Sequence, residues 1–189
     1  MRKNVLKSLE YIDQEENVQL KGCVAREMSN HELLITELLV KSVFSDCKPE
    51  DVAALLSCMV FQQRCDDSNL ELPVHLAKKV KEIKEVAMLI SEEQERNCIN
   101  EPYFVDQYNF YLVNVVYEWA RGTPFAEIMQ KTDVDEGIIV RSIQRLNELL
   151  KDVRNGASLV GDTVLAQKME EASHRIKRNI VFACSLYTQ

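Results

Sequence analysis

The chain has 189 residues, 46% of them hydrophobic and 28% charged, which allows one good-sized domain, or a domain with part of another, and excludes a disordered polymer. Five glycines and four prolines favour long uninterrupted helices over a loop-rich β fold. A net charge of −7 excludes a protein that coats nucleic acid by bulk charge, while leaving room for a local basic strip.

Residues 1–28 read differently from the rest. "VLKSLEYID" is a short amphipathic helix running into a strand, "QEEN" a polar turn, and "VQLKG" an alternating strand. Helix, strand, turn, strand is how a winged-helix module finishes, so this segment is expected to be a β-hairpin remnant of such a domain. From residue 29 the signals are helical, and residues 29–189 are expected to form an all-α helical bundle. "SNHELLITELLVKSVF" predicts a helix capped by Ser29 or Asn30, with an apolar face through Leu33, Leu34, Leu38 and Val43. "KPEDVAALLSCMVF" opens with Pro49, Glu50 and Asp51 in its first turn and is apolar nearly all round, which predicts burial. After the polar loop "QRCDDSNLELP", a stripe of Leu76, Val80, Ile83, Ala87 and Ile90 predicts a helix that can exceed ~20 residues, or about 30 Å. "NEPYFVDQYNFYLVNVVYEWARG" predicts a helix ending at Gly122. The next stretch, to Gly161, predicts a short helix, a turn and a long helix. A last helix from about Asp162 closes on "IVFACSLY", which predicts a packed C-terminus.

Six cysteines, Cys23, Cys47, Cys58, Cys65, Cys98 and Cys184, show no CxxC spacing, and several fall on apolar helical positions. They read as reduced packing thiols of an intracellular protein rather than disulfide partners or zinc ligands. No signal-peptide core and no run of about 18 apolar residues is present, so no membrane association is expected. His31, His75 and His174 are far apart in the chain, and neither a phosphate-binding loop nor a nucleophile elbow occurs. A self-contained enzyme is not expected.

The stretch "TDVDEGIIVRSIQRLNELL" from Thr132 to Leu150 is the most informative. As a calcium loop starting at Asp133 it fails at Gly137, Ile138 and Gln144, where an oxygen ligand, a glycine and a glutamate are required. As a helix start it fits: Thr132 or Asp133 is the expected cap, and Asp133 with Glu136 has capping-box spacing. The helix then divides into a buried face of Ile138, Ile139, Ser142, Ile143, Leu146, Leu149, Leu150 and Val153 and an opposite stripe of Arg141, Arg145, Glu148 and Asp152. Arg145 can pair with Glu148. On spacing alone the stripe is a solvated surface. The helix–turn–helix rhythm of "PFAEIMQKTDVDEGIIVRSIQRL" is a weak pointer to a DNA reader, opposed by the acidic charge. The basic cluster "HRIKR", residues 174–178, reads as the charged side of the final helix.

"HELLITELLVKSVFSDCKPEDVAALLSCMVF", "VNVVYEWARGTPFAEIMQKTDVDEGIIVRSIQRLNELL" and "RIKRNIVFACSLY" together resemble the C-terminal helical domain of the superkiller-type DExH-box RNA helicases, closer to the cytoplasmic Ski-complex branch than to the nuclear TRAMP-complex branch. The resemblance runs from Val5 to Gln189. It implies a parent ATP-dependent 3′-to-5′ RNA helicase, acting in mRNA turnover, that feeds RNA to the exosome. ATP and Mg would bind in RecA-like domains whose motifs this chain lacks, so the chain itself is expected to hold no cofactor or metal and to be inactive alone. It further implies that the domain packs on those RecA-like domains, closes the RNA channel and touches single-stranded RNA through a ratchet helix. The matching residues are Arg145 and Glu148; Arg141, one turn earlier on the same stripe, joins them on geometry. Implied partners are single-stranded RNA, the RecA-like domains, Ski-complex subunits and the exosome, and the implied location is cytoplasmic, or nuclear for a member of the nuclear branch. The competing expectation is a helical protein–protein adaptor that never contacts RNA.

Overall fold

A computed structural model describes residues 1–63, 65–66 and 70–178. The described residues form nine α-helices: α1 Arg2–Ser8, α2 Leu20–Ala25, α3 Glu32–Val40, α4 Pro49–Leu56, α5 Val74–Arg96, α6 Val113–Arg121, α7 Phe125–Met129, α8 Glu136–Leu159 and α9 Thr163–Ile176. A 3-10 turn, Ser57–Met59, continues α4. The all-α expectation holds, with no helix among the described residues long and apolar enough to cross a membrane. The expected packing of "IVFACSLY", and Cys184 within it, lies outside the described residues.

The expected N-terminal hairpin is not formed. A single antiparallel bridge joins Ile12 to Val18, with no strand among the described residues. The turn between them is tied by Asp13, whose carboxylate accepts from the Glu15 and Asn17 backbone N–H groups and from Asn17 Nδ2 at 2.8–2.9 Å. Beyond the bridge the chain winds into α2, which buries Val24, and the turn after it brings Met28 to the same place. There they meet α8 at Gly156, where an added Cβ would lie 2.5 Å from Met28 Cε and 3.3 Å from Val24 Cγ1. The alternation in "VQLKG" spans too few residues to oppose that packing.

The core is organised around α4. Val52 to Leu56 are fully buried, enclosed by α5, α6, α8 and α9. Its start is as expected: Asp51 accepts from the Lys48 backbone N–H at 2.8 Å. The long α5 carries its stripe inward, with Leu76, Ile83, Ala87 and Ile90 buried. α8, with 24 residues, is about 36 Å long at 1.5 Å per residue. It packs lengthwise against α9 and also touches α2, α3 and α4.

Three helix starts differ from expectation. α3 begins after His31, in the left-handed region at φ 56°, and neither Ser29 nor Asn30 caps it; the Ser29 N–H is drawn instead to Asp152 Oδ2 at 3.1 Å. α6 starts only at Val113. Asn109 interrupts the preceding stretch, its Oδ1 accepting from the Tyr111 N–H at 2.8 Å, a local bond that competes with helix. The far end is as predicted, with Gly122 at φ 108° closing α6. α8 is capped by Asp135, whose carboxylate accepts from the Gly137 N–H at 2.8 Å, rather than by Thr132 or Asp133.

Candidate nucleic-acid interface

α8 turns one face wholly inward. Ile139, Ser142, Ile143, Leu146, Leu149, Leu150 and Val153 are buried as expected, and Ile138 is half-buried. Asn147, only 3% exposed, lies among them. Its Oδ1 accepts from Ser173 Oγ at 2.6 Å across the α8–α9 contact, while its Nδ2 donates to Glu148 Oε1 at 3.2 Å. A polar residue inside an otherwise apolar face is a sequence signal of such a buried bond. It ties α8 to α9 beneath the outer side of the helix.

Arg141, Arg145 and Glu148 are all exposed on that outer side. The structure brings them together on one stripe, but not as the expected ion pair. Glu148 pairs with Lys151 at 2.8 Å, the favourable order of acid before base along a helix. The hydrogen bond from Lys151 is the main reason the Glu148 carboxyl is held below its usual range. Arg145 reaches away from the helix, its Nη1 donating to Gln62 Oε1 at 3.1 Å. No hydrogen bond or ion pair to Arg141 is present among the described residues. Asp152, expected on the same stripe, is half-buried and engaged with Ser29. Gln62 and Lys151 were not foreseen as neighbours; Gln62 lies 83 positions from Arg145 in the chain, beyond the reach of any local pattern.

The arrangement offers two guanidinium groups and one carboxylate on a rigid, exposed ridge. Arg145 spends one donor on a neutral amide and keeps a planar face and further donors for a ligand, and Glu148 retains acceptor capacity. Such a set can stack on and hydrogen-bond to bases without a large charge. Both arginines of the other basic cluster are engaged within the fold, while His174 and Lys177 are exposed and Lys177 acts on Glu148 through its charge. Arg175 pairs with Glu50 and Glu171. Arg178 lies 4.1 Å from the Trp119 ring and donates to the Trp119, Gly122 and Thr123 carbonyls, closing the C-terminal end of α6. The expected charged helix side therefore holds only as far as Ile176, where α9 ends.

Among the described residues, no group of three or more His, Cys, Asp or Glu side chains could hold a metal ion. Cys23, Cys47, Cys58, Cys65 and Cys98 are free thiols. The acidic knot before α8 supplies the helix cap through Asp135.

Residues 15–183 match the DSHCT (NUC185) domain. The chain is 47% identical, over its full length and 15% of the relative's, to Superkiller complex protein 2 of Mus musculus. It is 40% identical to Antiviral helicase SKI2 of Saccharomyces cerevisiae, over 97% of the chain and 15% of the relative. It is 39% identical to Exosome RNA helicase MTR4 of Homo sapiens, over 98% of the chain and 18% of the relative. The chain thus spans less than a fifth of these relatives.

Proposed function

Because the chain belongs to the DSHCT (NUC185) domain family, we propose that it is the C-terminal helical domain of an ATP-dependent 3′-to-5′ RNA helicase that feeds RNA to the exosome, and that residues 1–28 are the tail of the winged-helix domain before it. Its relatives carry helicase names, and the superkiller name of a 47% identical relative supports a cytoplasmic, Ski-complex setting. In this reading the domain packs on the RecA-like domains, closes the RNA channel and slides single-stranded RNA past Arg141, Arg145 and Glu148. ATP and Mg belong to the RecA-like domains.

The observation that carries the proposal is the division of α8: one face buried and pinned by Asn147 to Ser173, the other presenting Arg141, Arg145 and Glu148 to solvent. A strand that must step needs contacts of this kind, fixed in place but weakly charged, because the phosphate-driven term grows with every cation added. The adaptor reading calls for a long exposed apolar face and for Arg145 locked in ion pairs. Arg145 binds a neutral glutamine, and the exposed large apolar side chains are scattered, from Val18 and Leu20 through Met88 and Leu89 to Val164. A DNA-reading second helix would protrude, whereas α8 is buried along one side from Ile139 to Ala157.

The test is Arg145→Ala with Glu148→Ala in the helicase that contains this domain. Unwinding and RNA-stimulated ATPase rates are expected to fall together, by roughly tenfold for about 1.4 kcal/mol of lost contact. Wild-type rates for both would remove the contact role.

A further inference from the structure

A cavity of about 800 Å³ opens beside Arg145, lined in part by Phe61, Gln62, Gln63, Lys84, Tyr103 and Asn109. That volume is within the range of small-molecule sites, roughly 300–1,000 Å³. The cavity wall is built rather than incidental. Phe61, 1% exposed, stacks on Tyr111 with ring centroids 6.4 Å apart. Asn109 fixes the neighbouring loop by donating from Nδ2 to the Cys65 carbonyl at 2.8 Å and accepting from the Tyr111 N–H. Lys84 is held with its ammonium 5.0 Å from the Phe110 ring centroid. At the rim, Tyr103 is 71% exposed, a large aromatic ring left in water.

We infer that this cavity receives a nucleobase of the single-stranded RNA running along α8, with the base stacked on Tyr103 and its polar edge at the Gln62 and Gln63 amides. The inference rests on the reading of Arg145 as an RNA contact and extends it by one site. Three features argue for a base rather than a phosphate or an apolar peptide. An exposed aromatic ring gains most from another flat π face. Carboxamides carry both a donor and an acceptor and match base edges, whereas a phosphate site would be cation-rich. The hydrogen bond from Arg145 to Gln62 joins the ridge to the cavity rim, so a strand stacked at Arg145 has its next base within reach of the opening.

The experiment uses the intact helicase and a fluorescently labelled single-stranded RNA, titrated by anisotropy without ATP. Four variants are compared: Tyr103→Ala, Tyr103→Phe, Gln63→Ala and Arg145→Ala. Gln62 is left in place because it also holds Arg145. Tyr103→Ala is expected to weaken binding roughly 5- to 150-fold, the measured scale of one base–aromatic stack, with Tyr103→Phe near wild type and Gln63→Ala between them. Because Tyr103 and Gln63 are exposed, circular dichroism should show no loss of helix. If Arg145→Ala weakens binding while Tyr103→Ala does not, the cavity proposal fails and the α8 contact stands. If neither weakens it, both fail. Equal losses from the Ala and Phe variants at Tyr103 would also overturn the stacking.

Discussion

The ion pair between Lys21 and Glu37 provides the sharpest test of how residues 1–28 are joined to the rest of the chain. Lys21 Nζ lies 3.0 Å from Glu37 Oε1, with the two side chains 19% and 7% exposed, and it also donates to the Leu9 carbonyl at 3.0 Å. Lys21→Met removes the cation and leaves a carboxylate inside α3. Breaking a buried pair from one side costs about 3–5 kcal/mol, far above the ~0–1 kcal/mol of a surface pair. The residual exposure of Lys21 sets the expectation at the lower end, about 3 kcal/mol. At about 2–4 °C per kcal/mol for a chain of this size, Tm should fall by about 6–12 °C. Adding Glu37→Met should restore most of the loss, since apolar replacement of a whole buried pair is often neutral, leaving the Leu9 hydrogen bond at about 1 kcal/mol. The assay is urea unfolding of the wild type and both variants followed by circular dichroism. A single variant within 1 kcal/mol of wild type, or a double variant no better than the single, would refute the reasoning.

Two further outcomes are expected. Burial holds the His31 imidazole below its usual range, opposed in part by a hydrogen bond at the Met59 backbone; the unfolded chain then binds more protons in the window below about pH 6.5, so the stability present above that pH declines as pH falls through it. His31→Asn, which tolerates the left-handed backbone, should flatten the stability curve between pH 7.5 and 5.5, and an unchanged slope would exclude His31 as its source. Burial also pushes the Cys47 thiol up to about 11, leaving about one part in a thousand as thiolate at pH 8. Iodoacetamide with peptide mass mapping should therefore label exposed Cys98 in the native chain and Cys47 only after unfolding; early labelling at Cys47 would contradict its burial.

What was legible in the sequence follows from how far each interaction reaches. The burial of α4, the α5 stripe and the α8 division into faces come from periodicity over many residues, and all three are found. Helix starts depend on one or two side chains choosing among nearby N–H groups. Asp135 rather than Asp133 caps α8, and α3 has no side-chain cap, its start being set at His31 while the Ser29 N–H meets Asp152 from 123 positions away. The hairpin was misjudged for the same reason: five alternating residues say little against a helix that packs Val24 on Gly156, with Met28 from the turn beyond it. In the candidate interface, spacing placed Arg141, Arg145 and Glu148 on one exposed stripe. It could not supply Gln62, whose hydrogen bond to Arg145 arises only when the loop after α4 folds back to α8.

That difference bears on what the stripe can be. An exposed arginine and glutamate three apart would ordinarily satisfy each other, and a self-paired stripe has little left for a ligand. Here Lys151 takes Glu148 and Gln62 takes one donor of Arg145, so Arg145 is not paired to the carboxylate three residues on. Each retains hydrogen-bonding capacity in a direction set by the buried face of α8, and that face is locked by Asn147 and Ser173. The orientation of the surface groups is thus determined by the core beneath them, which is what a repeating contact with a moving strand requires. On the proposed RNA contact, Asn147→Ala in the intact helicase should weaken RNA binding in the anisotropy titration without touching RNA, because it breaks the bond to Ser173 that ties α8 to α9 beneath Arg145 and Glu148; unchanged binding would refute it.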